Sequence, residues 1–123
     1  MNDDALSFDD PLRVYIGTLH EITPMSRDQE IDCIQHLLAG EQMAESAGKD
    51  LVEAHLLLVV SIAERYRNDR IQMLDLIEEG NEGLLRALET LSESCHDSFA
   101  AHATGHIERA IAEAVATSGS ADV

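Results

Sequence analysis

Apolar residues recur at intervals of three and four along most of the chain. No alternating β-branched run bounded by turn signals interrupts them, so the pattern predicts helices almost throughout and an all-α fold. The first helix is expected at Asp10-Pro11, an N-cap carboxylate followed by a ring whose fixed φ suits the first helical position, and it carries Leu12, Tyr15, Ile16 and Leu19. Pro24 breaks the chain. Ser26 with Gln29 reads as a capping box opening a second helix through Ile31, Ile34, Leu37 and Leu38, closed by Gly40. After a short acidic connector, a third helix is expected from about Asp50, or somewhat earlier, to Tyr66. Leu51, Ala54, Leu58 and Ile62 line one of its faces and Leu56, Val59, Val60 and Ala63 surround it, which places it at the centre. A fourth runs from about Gln72 to Leu91, with an inner stripe of Leu74, Ile77, Leu84, Leu88 and Leu91. Its outer stripe is Asp75, Glu78, Glu79, Glu82, Arg86 and Glu89. Gly80 and Gly83 interrupt it at roughly 1 kcal/mol each relative to Ala, which calls for close helix packing or a partner at the backbone. A fifth, Ala-rich helix is expected from Asp97 or Ser98 to Ala116. The result is a compact bundle of about five helices, a single domain over residues 10–117, with residues 1–9 and 118–123 expected to be flexible.

Composition narrows the function. The chain has 123 residues, enough to bury a core without disulfides or a structural metal, and it carries 24 acidic against 8 basic side chains, a formal charge of -16. Nucleic acid and anionic membrane surfaces need Lys/Arg clusters, and Lys49 is the single lysine. A basic protein surface is the better-matched partner. Cys33 and Cys95 form no C-x-x-C pair, no basic-then-apolar leader opens the chain, and the longest apolar run, Leu56 to Val60, is far short of a membrane span. These features point to a cytoplasmic protein with no membrane association. Without a Gly-rich phosphate loop, G-x-S-x-G or H-E-x-x-H, and with carboxylates on an exposed face, the chain is not expected to be an enzyme.

The stretch LVEAHLLLVVSIAERYRNDRIQMLDLIEEGNEGLLRALE, Leu51 to Glu89, closely resembles the central helical domain, region 2, of the sigma-70 family, the bacterial RNA polymerase specificity subunits. The resemblance extends upstream through DDPLRVYIGTLHEITPMSRDQEIDCI and downstream through FAAHATGHIERAIAEAV, about Asp10 to Val115. It implies a helical bundle whose fourth helix docks on the coiled-coil clamp helices of the polymerase β′ subunit through the polar stripe of D-L-I-x-E-G-N. Carried over, that stripe falls on Asp75, Glu78, Glu79 and Asn81, with Glu82, Leu85 and Arg86 beside them. Carboxylates spaced by three and four also suit an Arg-rich helix pair on chemistry alone. Glu78 stands where the family commonly has Gln, and Glu82 where it has an apolar residue, so the negative charge is increased. Asn81 falls near the inner Leu stripe, where an unpaired amide is costly; it needs either a helical partner or a docking surface.

The last helix departs from the family, which presents aromatic and basic side chains there to capture flipped promoter bases. Asp97, His102, Gly105 and His106 occupy positions where the family carries aromatics, and only Phe99 keeps its ring. Glu108 and Glu113 stand at family arginine positions, and Arg109 replaces a base-reading glutamine. The resemblance therefore implies a core polymerase partner and a promoter-facing site, Phe99, His102, His106 and Arg109, that is vestigial. Promoter DNA binding is expected to be weak or absent, giving a degenerate sigma factor or a competitor of sigma. An anti-sigma-type protein is a further partner class. A different reading is a helical sensor or oligomerisation module responding to metal or acid through its histidines, since His102 and His106, four apart, share one helix face and Cys95, His96 and Asp97 stand just upstream in the sequence. Surface histidines replacing lost aromatics explain the same pattern, and neither a metal site nor a cofactor is expected. The basic cluster Arg65, Tyr66, Arg67 and Arg70 is read as neutralising the carbonyl end of the third helix and pairing with Glu64 and Asp69. Met25, Met43 and Met73 are read as filler.

Overall fold

Asp10 Oδ1 accepts the Leu12 amide at 3.1 Å and Pro11 begins α1, Pro11–Leu19. Ser26 Oγ accepts the Gln29 amide at 3.1 Å while Gln29 Oε1 accepts the Ser26 amide at 2.8 Å; this reciprocal box opens α2, Arg27–Ala39. Gly40 closes α2 at φ 66°, a left-handed conformation that costs glycine little. The computed structural model describes residues 10–40, 42–91 and 98–121, among which every regular element is an α-helix. The expected flexible segment 1–9 lies outside them.

The expected third helix is two helices, α3, Ala44–Ala54, and α4, Leu56–Glu64, so the described bundle has six helices. His55 makes the break. Its Nδ1 lies 2.7 Å from Leu51 O, and because a carbonyl only accepts, the ring N–H takes the bond that the His55 amide would make in a continuous helix. That amide turns to Val52 O at 3.0 Å instead. Apolar periodicity does not register such a break, because the residues on either side continue to face the same core. α4 buries Val59, Val60, Ile62 and Ala63, as a central helix should.

The most extensive packing joins α5, Met73–Glu89, to α6, Phe99–Ala121. The buried face of α5 consists of Met73, Leu76, Ile77, Gly80, Gly83, Leu84 and Ala87. The expected Leu74 to Leu91 stripe is therefore corrected: Leu74, Leu88 and Leu91 are only half-buried, and Met73 belongs to the core. Small residues set this rotation. A Cβ on Gly83 would stand 2.5 Å from His106 O and 2.9 Å from Ile107 Cα, and one on Gly80 would stand 2.6 Å from Val59 Cγ1. The two glycines thus serve close helix packing, not a partner at the backbone. The helical backbone of α6 continues to Ala121, past the expected end at Ala116.

Glu30 joins the two halves of the bundle. It is 8% exposed, the one buried charged residue among those described, and its Oε2 accepts the amide of Phe99, the first residue of α6, at 2.9 Å. Arg27 Nη1 also donates to Oε2, and His55 Nε2 lies 3.9 Å from Oε1. A carboxylate at a helix start satisfies an otherwise orphaned amide and suits the helix dipole. Glu30→Ala would strand the buried Phe99 amide and is expected to cost about 2–3 kcal/mol in urea denaturation. Glu30→Gln, which keeps an acceptor, should cost clearly less.

Candidate functional site

α5 turns its charges outward because its small and apolar residues are packed beneath α4 and α6. Asp75, Glu78, Glu79, Glu82, Arg86 and Glu89 are all exposed, and Leu85 is 43% exposed beside them. Asp75 sits in the first turn and Arg86 in the last, each at the end of the helix that its charge favours. Among the described residues no ion pair engages Asp75, Glu78, Glu79 or Glu82. Glu79 and Arg86 share a shallow depression with Ala110 and Glu113 of α6, so the acidic surface continues across the helix pair.

Asn81 lies on the flank of this stripe. The residue is half-buried, and its Oδ1 is buried without a hydrogen-bond partner among the described residues. An orphaned acceptor costs about 1–3 kcal/mol. Asn is also a poorer helix former than Ala, so Asn81→Ala is expected to leave thermal stability unchanged or raise it by about 1 kcal/mol, as read by calorimetry.

The four residues expected at a vestigial DNA site are not gathered on an exposed face. Phe99 is 0% exposed, its ring edge-on to His55 with centroids 4.9 Å apart; it is core and presents no stacking platform. His102 Nε2 lies 3.0 Å from Ala87 O and 3.0 Å from Thr90 Oγ1, so this nitrogen carries the proton and the ring closes the carbonyl end of α5. His106 Nε2 approaches the same Thr90 oxygen at 3.3 Å, and the two imidazoles are 5.2 Å apart. Arg109 alone is exposed. Among the described residues no group of three or more His, Cys, Asp or Glu could hold a metal ion; Cys95, His96 and Asp97 lie outside them.

Burial holds the His106 pKa below its ordinary 6.5, helped by the charges of His102, Arg109 and Arg86. Above the ordinary value both folded and unfolded chains are neutral at this ring, and stability is whole. As the pH falls below it, the unfolded chain takes the proton first, and stability declines until the folded ring is protonated too. Denaturation midpoints measured between pH 7.5 and 5 should therefore fall less steeply in His106→Gln than in the unaltered chain.

The basic cluster is occupied internally. Arg67 pairs with Glu64 at 3.0 Å, and Arg65 reaches Glu108 of α6 at 3.2 Å, so the carboxylate at a family arginine position is held by the neighbouring helix. Glu30 went unnoticed in the sequence, although it left a signal: it is a carboxylate in register with Ile34 and Leu37, four and seven residues on, along the inward face of α2.

Comparison with known proteins settles the kinship. A family profile described as Sigma-70 region 2 matches residues 51–120. The chain belongs to the sigma-70 family. Two relatives, both described as RNA polymerase sigma factor SigA, show how far the likeness extends. That of Lactococcus lactis subsp. cremoris is 41% identical over 108 residues, 88% of this chain and 30% of the relative. That of Clostridium acetobutylicum is 40% identical over 113 residues, 92% of this chain and 29% of the relative. The chain thus spans less than a third of the length of these curated relatives. The sigma-70 region 2 match takes in α4, α5 and α6. Both the carboxylate stripe and the histidine-bearing helix therefore lie within the matched region. No helix among the described residues is long and apolar enough to cross a membrane.

Proposed function

We propose that this chain is a sigma-like transcription initiation protein that binds core RNA polymerase, with the exposed face of α5 gripping the paired clamp helices of the β′ subunit. The observation that carries this reading is the outward row Asp75, Glu78, Glu79 and Glu82, without ion-pair partners among the described residues, on a helix whose glycines lock it from behind. Carboxylates with no internal partner lose nothing when a guanidinium arrives, and a row of them accelerates encounter with a basic helix pair. Asn81 supports the same reading. Its oxygen is buried and out of a partner's reach, which leaves its amide N–H groups as what the residue offers on the flank of the row.

On the other side, the side chains that would capture an opened promoter are spent on the fold. Phe99 is in the core, and His102 and His106 are tied to the end of α5. The chain therefore acts as a degenerate sigma factor or as a competitor of the working one, and a basic anti-sigma-type protein would compete for the same face. Fluorescence anisotropy with a single-stranded promoter-like oligonucleotide at low salt should show no saturable binding; a saturable, sequence-dependent signal would reinstate the DNA site. Co-purification with core polymerase in competition with an authentic sigma factor tests the proposal as a whole. Retention that the authentic factor displaces is expected, and no retention at low salt would count against it.

A second reading, an acid-responsive helical module, draws on the close His102–His106 pair. A change of oligomeric state across mild acid would favour it over the polymerase reading.

A further inference from the structure

The imidazoles of His102 and His106 stand one helical turn apart on α6 and direct their Nε2 atoms to one point. Those atoms lie 3.0 and 3.3 Å from the same oxygen, Thr90 Oγ1 at the end of α5, and the ring centroids are 5.2 Å apart. Two histidines four residues apart on one helix face are a ready chelate, since the helix holds both nitrogens at a spacing that one ion can span. An ion bound tetrahedrally at about 2.0–2.1 Å asks for nitrogens roughly 3.4 Å apart. The place is open to solvent. Thr90 and Gly105 are exposed, both rings are half-buried, and among the described residues no other element comes within 4 Å of where a Gly105 Cβ would stand. Freeing the nitrogens costs the fold little. His102 Nε2 would leave Ala87 O, 3.0 Å away, but that carbonyl keeps the Thr90 hydroxyl, which donates to it at 3.1 Å.

We propose that His102 and His106 form a binding site for a divalent late-transition-metal ion such as Zn2+, held between the two Nε2 atoms with water completing its coordination. The inference does not depend on polymerase binding. Imidazole nitrogen selects this occupant, because zinc, copper and nickel ions bind it well whereas Mg2+ and Ca2+ demand oxygen ligands. Each ring binds as the neutral form: its proton passes from Nε2 to Nδ1, the Nε2 lone pair goes to the metal, and the charge of the ring is unchanged. Burial, which holds the His106 pKa below the ordinary 6.5, keeps that ring neutral at pH 7. Its cationic neighbours, Arg86 and Arg109, oppose a metal ion, but both are exposed and screened by solvent, and the whole chain carries a formal charge of -16. Structural and catalytic zinc sites use four or three protein ligands. With two, this ion is held loosely and exchanges.

The test is a titration of Zn2+ into the full chain with the imidazole nitrogens followed by NMR. The Nε2 signals of His102 and His106 should move together and saturate at one equivalent, before those of His20, His36 and His55. His102→Gln and His106→Gln should each weaken binding by at least about tenfold, whereas His36→Gln should leave it unchanged. Gln keeps a donor for the Thr90 hydroxyl, and the thermal midpoint of each variant without metal checks that it folds. Zn2+ should raise the midpoint of the unaltered chain more than that of either variant. Mg2+ at the same concentration should move neither ring. His102 and His106 signals that stay in place at excess Zn2+, or an affinity indifferent to both substitutions, would overturn the site; the spectra of the unaltered chain decide even where a variant fails to fold. An equal response to Mg2+ would reduce the effect to bulk attraction of cations by an acidic chain and overturn it too.

Discussion

Gly83→Ala is expected to destabilise the fold by about 2–3 kcal/mol, although alanine is the better helix former. The added methyl would meet His106 O at 2.5 Å and Ile107 Cα at 2.9 Å, backbone atoms that no rotamer change can move. α5 and α6 must part, and the fully buried Phe99, Ala103, Ile107 and Ile111 loosen with them. Overpacking of this kind costs typically 1–3 kcal/mol, more when backbones are forced apart, and the helix-propensity gain of about 1 kcal/mol offsets only part of it. For a chain of this length the thermal midpoint should fall by about 10 °C. Gly80→Ala meets side-chain methyls of Val59 and Ile111 at 2.6 and 3.0 Å, which can rotate away, so its effect should be smaller. A neutral or stabilising Gly83→Ala in thermal denaturation would mean that the two helices are not packed this closely.

Reversal of charge on α5 should show the opposite profile, little change in folding and a large loss of binding. Asp75→Arg combined with Glu79→Arg is expected to weaken association with isolated β′ clamp helices by about a hundredfold, since truncating one partner of an interfacial charge pair typically costs 2–5 kcal/mol and reversal adds repulsion. Both side chains are exposed and neither is in an internal ion pair among the described residues, so stability should drop by no more than about 0.5 kcal/mol, the loss of Asp75 from the first turn of α5. The residual affinity should also depend less steeply on salt. Asn81→Ala should separate the two properties further, holding or raising stability while weakening clamp-helix binding.

Local signals accounted for much of the architecture. Asp10-Pro11, the Ser26–Gln29 box and Gly40 each stand at the helix boundary their chemistry dictates. They were legible because a cap is decided within four residues. What escaped depends on tertiary contact. His55 looks like a continuing helical position until its ring is seen to take the Leu51 carbonyl. The inner face of α5 was misplaced because a count of leucines gives glycine and alanine no weight, and here Gly80, Gly83 and Ala87 admit the neighbouring helix. Phe99 is a ring in either role, and only packing against His55 and Glu30 assigns it to the core. The carboxylate stripe was readable because exposure follows from periodicity once the helix is set. The apolar groove beside it, walled by Leu37, Val52, Leu85 and Leu88, was not, because it exists only where α2 and α3 pack against α5, some thirty residues further along the chain.

In the proposed function the α5 face engages polymerase while α6 does not engage promoter. Photo-crosslinking tests both halves at once, with probes placed singly at the exposed positions of Glu82 on α5 and Arg109 on α6, in a mixture of core polymerase and promoter DNA. The probe at 82 is expected to join the β′ clamp helices and the probe at 109 to leave the DNA unlabelled. A probe at 82 that labels no polymerase subunit, or one at 109 that labels the opened strand, would contradict it.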